Sequence, residues 1–146
     1  MAGGLTFGAF GGRADLLAAF DPQAGGALSQ AGTFNNNILS MTAVVATLTE
    51  VLTAEVIRTV NERGDRLRES LNEIFTTHGC RFQATGIGSM VAVHALEPDL
   101  ELFFHAMLDD GWYLARRGFI ALSLEISDEL IDGFLAAVQA WASQPH

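Results

Sequence analysis

The stretch TAEVIRTVNERGDRLRESLNEIFTTHG, residues 53–79, is the segment around which the rest of the chain organises. Thr53 is a good N-cap residue, and Val56, Val60, Leu67, Leu71, Ile74 and Phe75 recur at helical spacing along 54–78 to mark one apolar face. Charges fill the other face, where Glu62 and Arg66 stand at the i,i+4 spacing of an ion pair. Gly79 is placed to end the helix in the left-handed conformation.

Downstream, residues 80–84 and 89–95 read as two short strands separated by a hairpin or corner at Thr85-Gly86-Ile87-Gly88. Pro98-Asp99 opens a helix that carries Leu100, Phe103, Phe104, Met107 and Leu108 on one face, and Gly111 stops it. Residues 112–114 and 119–124 are further strand candidates around Arg116-Arg117-Gly118, a charged turn. Ser127 caps a last helix whose apolar face is Leu130, Ile131, Phe134, Leu135, Val138 and Trp141. Strands alternating with amphipathic helices over 80–143 predict a small α+β domain with helices packed on one sheet face.

Upstream the character changes. Residues 1–53 carry only Arg13, Asp15, Asp21 and Glu50 as charges, which predicts surfaces covered by something else. Gly3, Gly4, Gly8, Gly11 and Gly12 predict a loop of turns and close approaches. A short helix over 13–20 follows, ended by Asp21-Pro22 and Gly25-Gly26. Thr33, Asn35, Asn36 and Asn37 are all good N-caps for a helix over 38–52 that is apolar nearly all round, the pattern of an element buried in a larger protein or interface. The expected organisation is 1–53 as one piece, 54–79 as a connecting helix, and 80–146 as the small domain.

The 146 residues suit one compact core, and the net charge of -9 argues against nucleic acid or anionic lipid as the main partner. The single Cys80 cannot form an internal disulfide, which favours a reducing, cytoplasmic location. The N-terminus lacks a signal-peptide pattern, and no stretch of about 18 uncharged apolar residues appears, so neither secretion nor membrane spanning is expected. His78, His94 and His105 lack metal-ligand spacing, and Arg13 is expected to be solvated or paired near Asp15.

The run Ala2-Gly3-Gly4-Leu5-Thr6-Phe7-Gly8-Ala9-Phe10-Gly11-Gly12-Arg13, followed by Gln30-Ala31-Gly32-Thr33-Phe34 and Asn37, resembles class III pyridoxal-phosphate aminotransferases. It is most similar to the glutamate-1-semialdehyde aminomutase group. The resemblance covers essentially the whole chain and corresponds to the last third of a family member. It implies the C-terminal small domain of a fold-type I transferase plus a helical segment from the large domain and interface.

In that family the Schiff-base lysine precedes the glycine run, a position that falls two residues before Met1. The chain itself contains no lysine, since all 8 Lys+Arg residues are arginine, and arginine stays protonated and cannot attack a carbonyl. The resemblance further implies that Gly32 and Thr33 contact the phosphate of a cofactor held by the neighbouring subunit. A hydroxyl and free N–H groups at a helix N-terminus suit an anion, although the same residues also serve as plain helix caps.

The implied cofactor is pyridoxal 5′-phosphate in the complete enzyme, with weak or no binding by this chain alone. The implied partner is a second copy in a dimer, or the missing large domain. Two functions follow: a C-terminal part of an amino-transferring enzyme that is inactive alone, or a non-catalytic dimerisation or ligand-binding module derived from that family.

Overall fold

The computed structural model describes residues 4–144. The chain divides into two compact units, Met1–Thr53 and Ala54–His146. The second unit holds the main core, and its first element is the long helix.

That helix, α3, runs Ala54–Thr77 and buries Val60, Gly64, Leu67, Leu71 and Phe75. It stops as its sequence predicts: Gly79 takes φ 67, and the Cys80 N–H donates to the Phe75 carbonyl at 2.8 Å. Three antiparallel strands follow in the order β1-β2-β3, with β1 Gln83–Ile87, β2 Met90–His94 and β3 Phe119–Ala121.

Ala84, Val91 and Val93 are buried on one sheet face, while Thr85, Ile87, Met90 and His94 are exposed on the other. The helices therefore cover one side of the sheet, as the alternating pattern predicts.

The strands depart from the sequence expectation at several points: β1 starts at Gln83 and not at Cys80, and β3 ends at Ala121 and not at Leu124. The hairpin turn is Gly88-Ser89, because Ile87 already pairs with Met90, so Thr85, Gly86 and Ile87 belong to β1. Gly86 is a close-approach glycine within the strand, since a Cβ there would lie 2.1 Å from the Met90 carbonyl oxygen. Residues 112–114 form no strand. The Trp112 N–H instead donates to the Met107 carbonyl at 2.8 Å and closes the end of the helix over Asp99–Asp109, so it is not free for a ladder.

Helix α4 spans Asp99–Asp109 and buries Phe103, Phe104 and Met107. Helix α5 spans Asp128–Ala142, capped by Ser127, whose side chain accepts from the Leu130 N–H at 3.3 Å. Phe103 is fully buried, with ring centroids 5.1 Å from Trp141, 5.6 Å from Phe82 and 6.3 Å from Phe75. This aromatic cluster ties α3, α4 and α5 to the segment that leads into β1.

A second stripe on α3 is polar, at positions 61, 65, 68 and 72. Asn61 Oδ1 accepts from the Ser89 N–H at 3.0 Å, and Asp65 Oδ1 accepts from the Gly88 N–H at 3.1 Å. Arg68 donates to the Gly86 carbonyl at 3.1 Å. Asn72 accepts from the Ala84 N–H and donates to the Ala84 carbonyl, both at 2.9 Å. A Gly64 between these residues brings the hairpin onto the helix: a Cβ there would lie 2.0 Å from the Gly88 carbonyl oxygen.

Arg66 is not the partner of Glu62. It reaches across to α5, to Asp132 at 2.7 Å and Asp128 at 3.1 Å, and Arg63 meets the same Asp128 at 3.1 Å. Two carboxylates in the first turns of α5 offer a charge-assisted fork and a favourable helix dipole, which a flexible pair on one helix surface does not match.

The hydrogen bond from Arg63 holds the Asp128 carboxyl below its ordinary value of 3.8, with Arg66 adding to it. A folded value below the unfolded one stabilises the protein above the unfolded value, and that contribution disappears as pH falls through the folded value. Asp128→Asn is therefore expected to flatten the acid limb of a stability-versus-pH curve below about pH 4. An acid limb identical to that of the parent chain contradicts the assignment.

The first unit contains the short helix α1, Ala14–Leu17, extended by a 3₁₀ turn at Ala18–Phe20. Helix α2, Ile38–Ala46, continues as a π-helical turn at Thr47–Val51. Within this stretch the Thr47 and Thr49 hydroxyls donate back to the Ala43 and Val45 carbonyls at 2.7 and 2.8 Å. Such back-bonding loosens the regular ladder, and the Leu52 N–H then donates to the Thr47 carbonyl five residues back. The predicted single helix over 38–52 is thus two kinds of helix in series.

Candidate functional site

Gly32 and Thr33 sit in a turn before α2. The Asn35 N–H donates to the Gly32 carbonyl at 3.0 Å, and the Asn35 side chain lies over Gly32, where a Cβ would come within 2.9 Å of its Oδ1. Asn36 follows at φ 60, a left-handed conformation that asparagine tolerates. The chain therefore reverses once more between Thr33 and the helix.

Of the four N-cap candidates, the structure selects Asn37, whose side chain accepts from the Ser40 N–H at 3.1 Å. Thr33 caps nothing, and its exposed hydroxyl has no partner among the described residues. The helix-capping role that was open for Thr33 passes to Asn37. Gly32 and Thr33 are brought together with Asn35, which packs over Gly32 and does not cap the helix.

Gly4, Gly8, Gly11 and Gly12 are exposed with open space around each, and Gly4 takes φ 92; Gly3 lies outside the described residues. Arg13 pairs with Asp15 at 2.6 Å, as its spacing suggests. At the turn after α4, the Arg116 guanidinium donates to Glu101 at 2.8 Å and holds that carboxyl below the ordinary range, with His105 bonded to the same Glu101 at 3.1 Å. Arg117 lies over the Phe119 ring, 5.6 Å from its centroid. Cys80 is half-buried, and burial pushes its thiol pKa up, away from nucleophilic use.

The site is thus a turn with an exposed hydroxyl, in a unit whose large apolar side chains face outward: Phe34, Ile38 and Leu39 are 82%, 80% and 73% exposed. An exposed hydroxyl can donate to an anion, and the turn over residues 32–37 carries no titratable side chain of its own. Among the described residues no group of three His, Cys, Asp or Glu side chains stands together as a metal centre would require. No single helix among them is long and apolar enough to cross a membrane.

The profile of the family described as Aminotransferase class-III matches residues 1–141. The chain belongs to the class III aminotransferases. It is 42% identical to the β-phenylalanine transaminase of Variovorax paradoxus over 93% of this chain and 34% of that protein. An uncharacterized aminotransferase of Schizosaccharomyces pombe is 36% identical over 97% of this chain and 35% of that protein.

Among solved structures, the β-phenylalanine aminotransferase from Variovorax paradoxus superposes with a TM-score of 0.81 at 38% identity, covering 90% of this chain and 34% of that one. A transaminase with PLP bound superposes with a TM-score of 0.77 at 23% identity, covering 90% and 34%, and shares the fold. This class III aminotransferase chain spans about a third of the length of the curated relatives it matches.

The family uses pyridoxal phosphate. The residues here fit that cofactor in part. Thr33 offers an exposed hydroxyl to a phosphate, and the Ile38 and Leu39 N–H groups open a helix nearby. No side-chain amine is available, because the chain has no lysine.

Proposed function

We propose that this chain is a portion of an amino-transferring enzyme that acts on an amino acid or a semialdehyde, and that alone it does not turn over. The observation that carries the reading is the combination of near-complete family coverage of residues 1–141 with the absence of any lysine. Pyridoxal phosphate supplies the electron sink for amino-group chemistry when bound. This chain's contribution is to bind and position: Gly32 leaves room for the Asn35 side chain to close the turn, and the turn presents the Thr33 hydroxyl to the phosphate.

The identity to a β-phenylalanine transaminase supports an amino acid as the substrate. The two glycine strings keep the glutamate-1-semialdehyde aminomutase group as the second reading.

The outward apolar side chains of the first unit support a covering partner, either a second copy in a dimer or the remaining two-thirds of such an enzyme. A derived dimerisation or ligand-binding module would use the same surface without catalysis. The net charge of -9 and the lone Cys80 support a cytoplasmic protein that does not bind nucleic acid or membranes.

An amino-transfer assay tests the reading. The 146-residue chain alone is expected to be silent, and a chimera in which it replaces the matching third of the Variovorax enzyme is expected to be active.

A further inference from the structure

We infer that the polar stripe of α3 acts as a surrogate fourth strand, which closes the free edge of β1 against another chain. β1 is an edge strand, because the sheet order is β1-β2-β3. An edge strand presents alternate N–H and C=O groups outward, and any exposed extended segment can pair with them. In β1 the outward-facing residues follow from the register: Val93 donates its N–H toward Gly118 at 2.9 Å, away from β1, so its partner Ala84 faces the free edge, and Gly86 does likewise two residues on.

Helix α3 occupies three of these four outward groups, the Ala84 N–H and carbonyl and the Gly86 carbonyl. Asn72 takes both the N–H and the carbonyl of Ala84 at 2.9 Å, in the way an adjacent strand would. Arg68 takes the Gly86 carbonyl at 3.1 Å, and Asp65 takes the Gly88 N–H beyond it at 3.1 Å. The spacing is i, i+3, i+7 along α3, one helix face, so a rigid element delivers all three.

Arg68 is itself fixed by Asp65 at 2.5 Å, which pre-organises the guard. β3 needs less protection because it has only three residues. The consequence for assembly is that a second copy or another chain must dock through side-chain surfaces, and strand addition at β1 is blocked.

Site-specific cross-linking tests this in the full chain. Thr85 is exposed in the middle of β1. If two β1 edges paired antiparallel about this residue, the two Thr85 positions would face each other at about 4.5 Å between Cα atoms, within disulfide reach. The parent is Cys80→Ser with Thr85→Cys, which carries one thiol. Under mild oxidation the parent is expected to stay essentially free of the 85–85 dimer, and adding Asn72→Ala and Arg68→Ala is expected to raise that dimer several-fold.

Hydrogen exchange at the Ala84 amide reports whether the guard has opened, with about a tenfold faster rate expected on losing one hydrogen bond. Faster exchange without additional dimer overturns the inference, as does an 85–85 dimer already abundant in the parent. Asn72→Ala alone, which frees both Ala84 groups and leaves Arg68 in place, provides the same comparison in milder form if the double variant loses its folded circular dichroism. A dimer yield unchanged from the parent in that variant then overturns the inference.

Discussion

Gly64→Ala is expected to destabilise the second unit by about 3 kcal/mol, at the upper end of what overpacking a core contact costs. The added methyl would stand 2.0 Å from the Gly88 carbonyl oxygen, 2.6 Å from its carbon and 2.8 Å from Ser89 Cα. All three are backbone atoms, so no rotamer change makes room. The hairpin has to lift off α3, which also strains the Asn61 and Asp65 bonds to Ser89 and Gly88.

Helix propensity pulls the other way, since alanine in a helix interior gains about 1 kcal/mol over glycine. The clash outweighs it. Gly133→Ala on α5 is the control: its Cβ meets only the Trp112 ring edge at 3.1 Å, a side chain that can yield, so propensity and crowding nearly cancel there. Urea unfolding followed by tryptophan fluorescence distinguishes the two, because both Trp112 and Trp141 lie in the second unit. Equal midpoints for the two variants contradict the close-approach account.

Phe103→Ala is expected to cost about 4 kcal/mol, the range for deleting a large buried aromatic side chain. Phe103 is fully buried, and its ring meets Phe75, Phe82 and Trp141, so truncation opens a cavity shared by α3, α4, α5 and the segment leading into β1. The surrounding rings are large and held from different elements, which limits collapse into the space. A loss below about 1 kcal/mol in the same unfolding measurement would mean that these elements do not share one core.

These two residues show what was legible in the sequence. Phe103 was, because helical periodicity on α4 places it with Met107 on the inner face, and the same periodicity locates α3 and α5. Gly79 and Gly111 were also legible as helix stops, since a left-handed residue after a helical run has few other uses. Gly64 was not: a lone glycine in a helical pattern has a small propensity cost and no periodic signature, and its reason lies in the Gly88 carbonyl 24 residues away in sequence.

Strand ends are not legible in the sequence for a related reason. Gly86 resembles a turn residue until the Met90 carbonyl packed against it is known, and Trp112 has strand propensity until its N–H is found on Met107. In the first unit, Thr33 and three asparagines were equivalent as caps by residue type. Only the turn at Gly32 and the left-handed Asn36 separate them and leave Asn37 as the cap.

The amino-transfer assay on the chimera tests the central claim most directly. The chimera joins this chain to the two-thirds of the Variovorax β-phenylalanine transaminase that it does not match, the part in which the family resemblance places the Schiff-base lysine. It should transfer the amino group of β-phenylalanine to an oxo acid in the presence of pyridoxal phosphate, while the 146-residue chain assayed alone shows none. A chimera that folds and retains the cofactor yet transfers no amino group, or turnover by the isolated chain, would contradict the account.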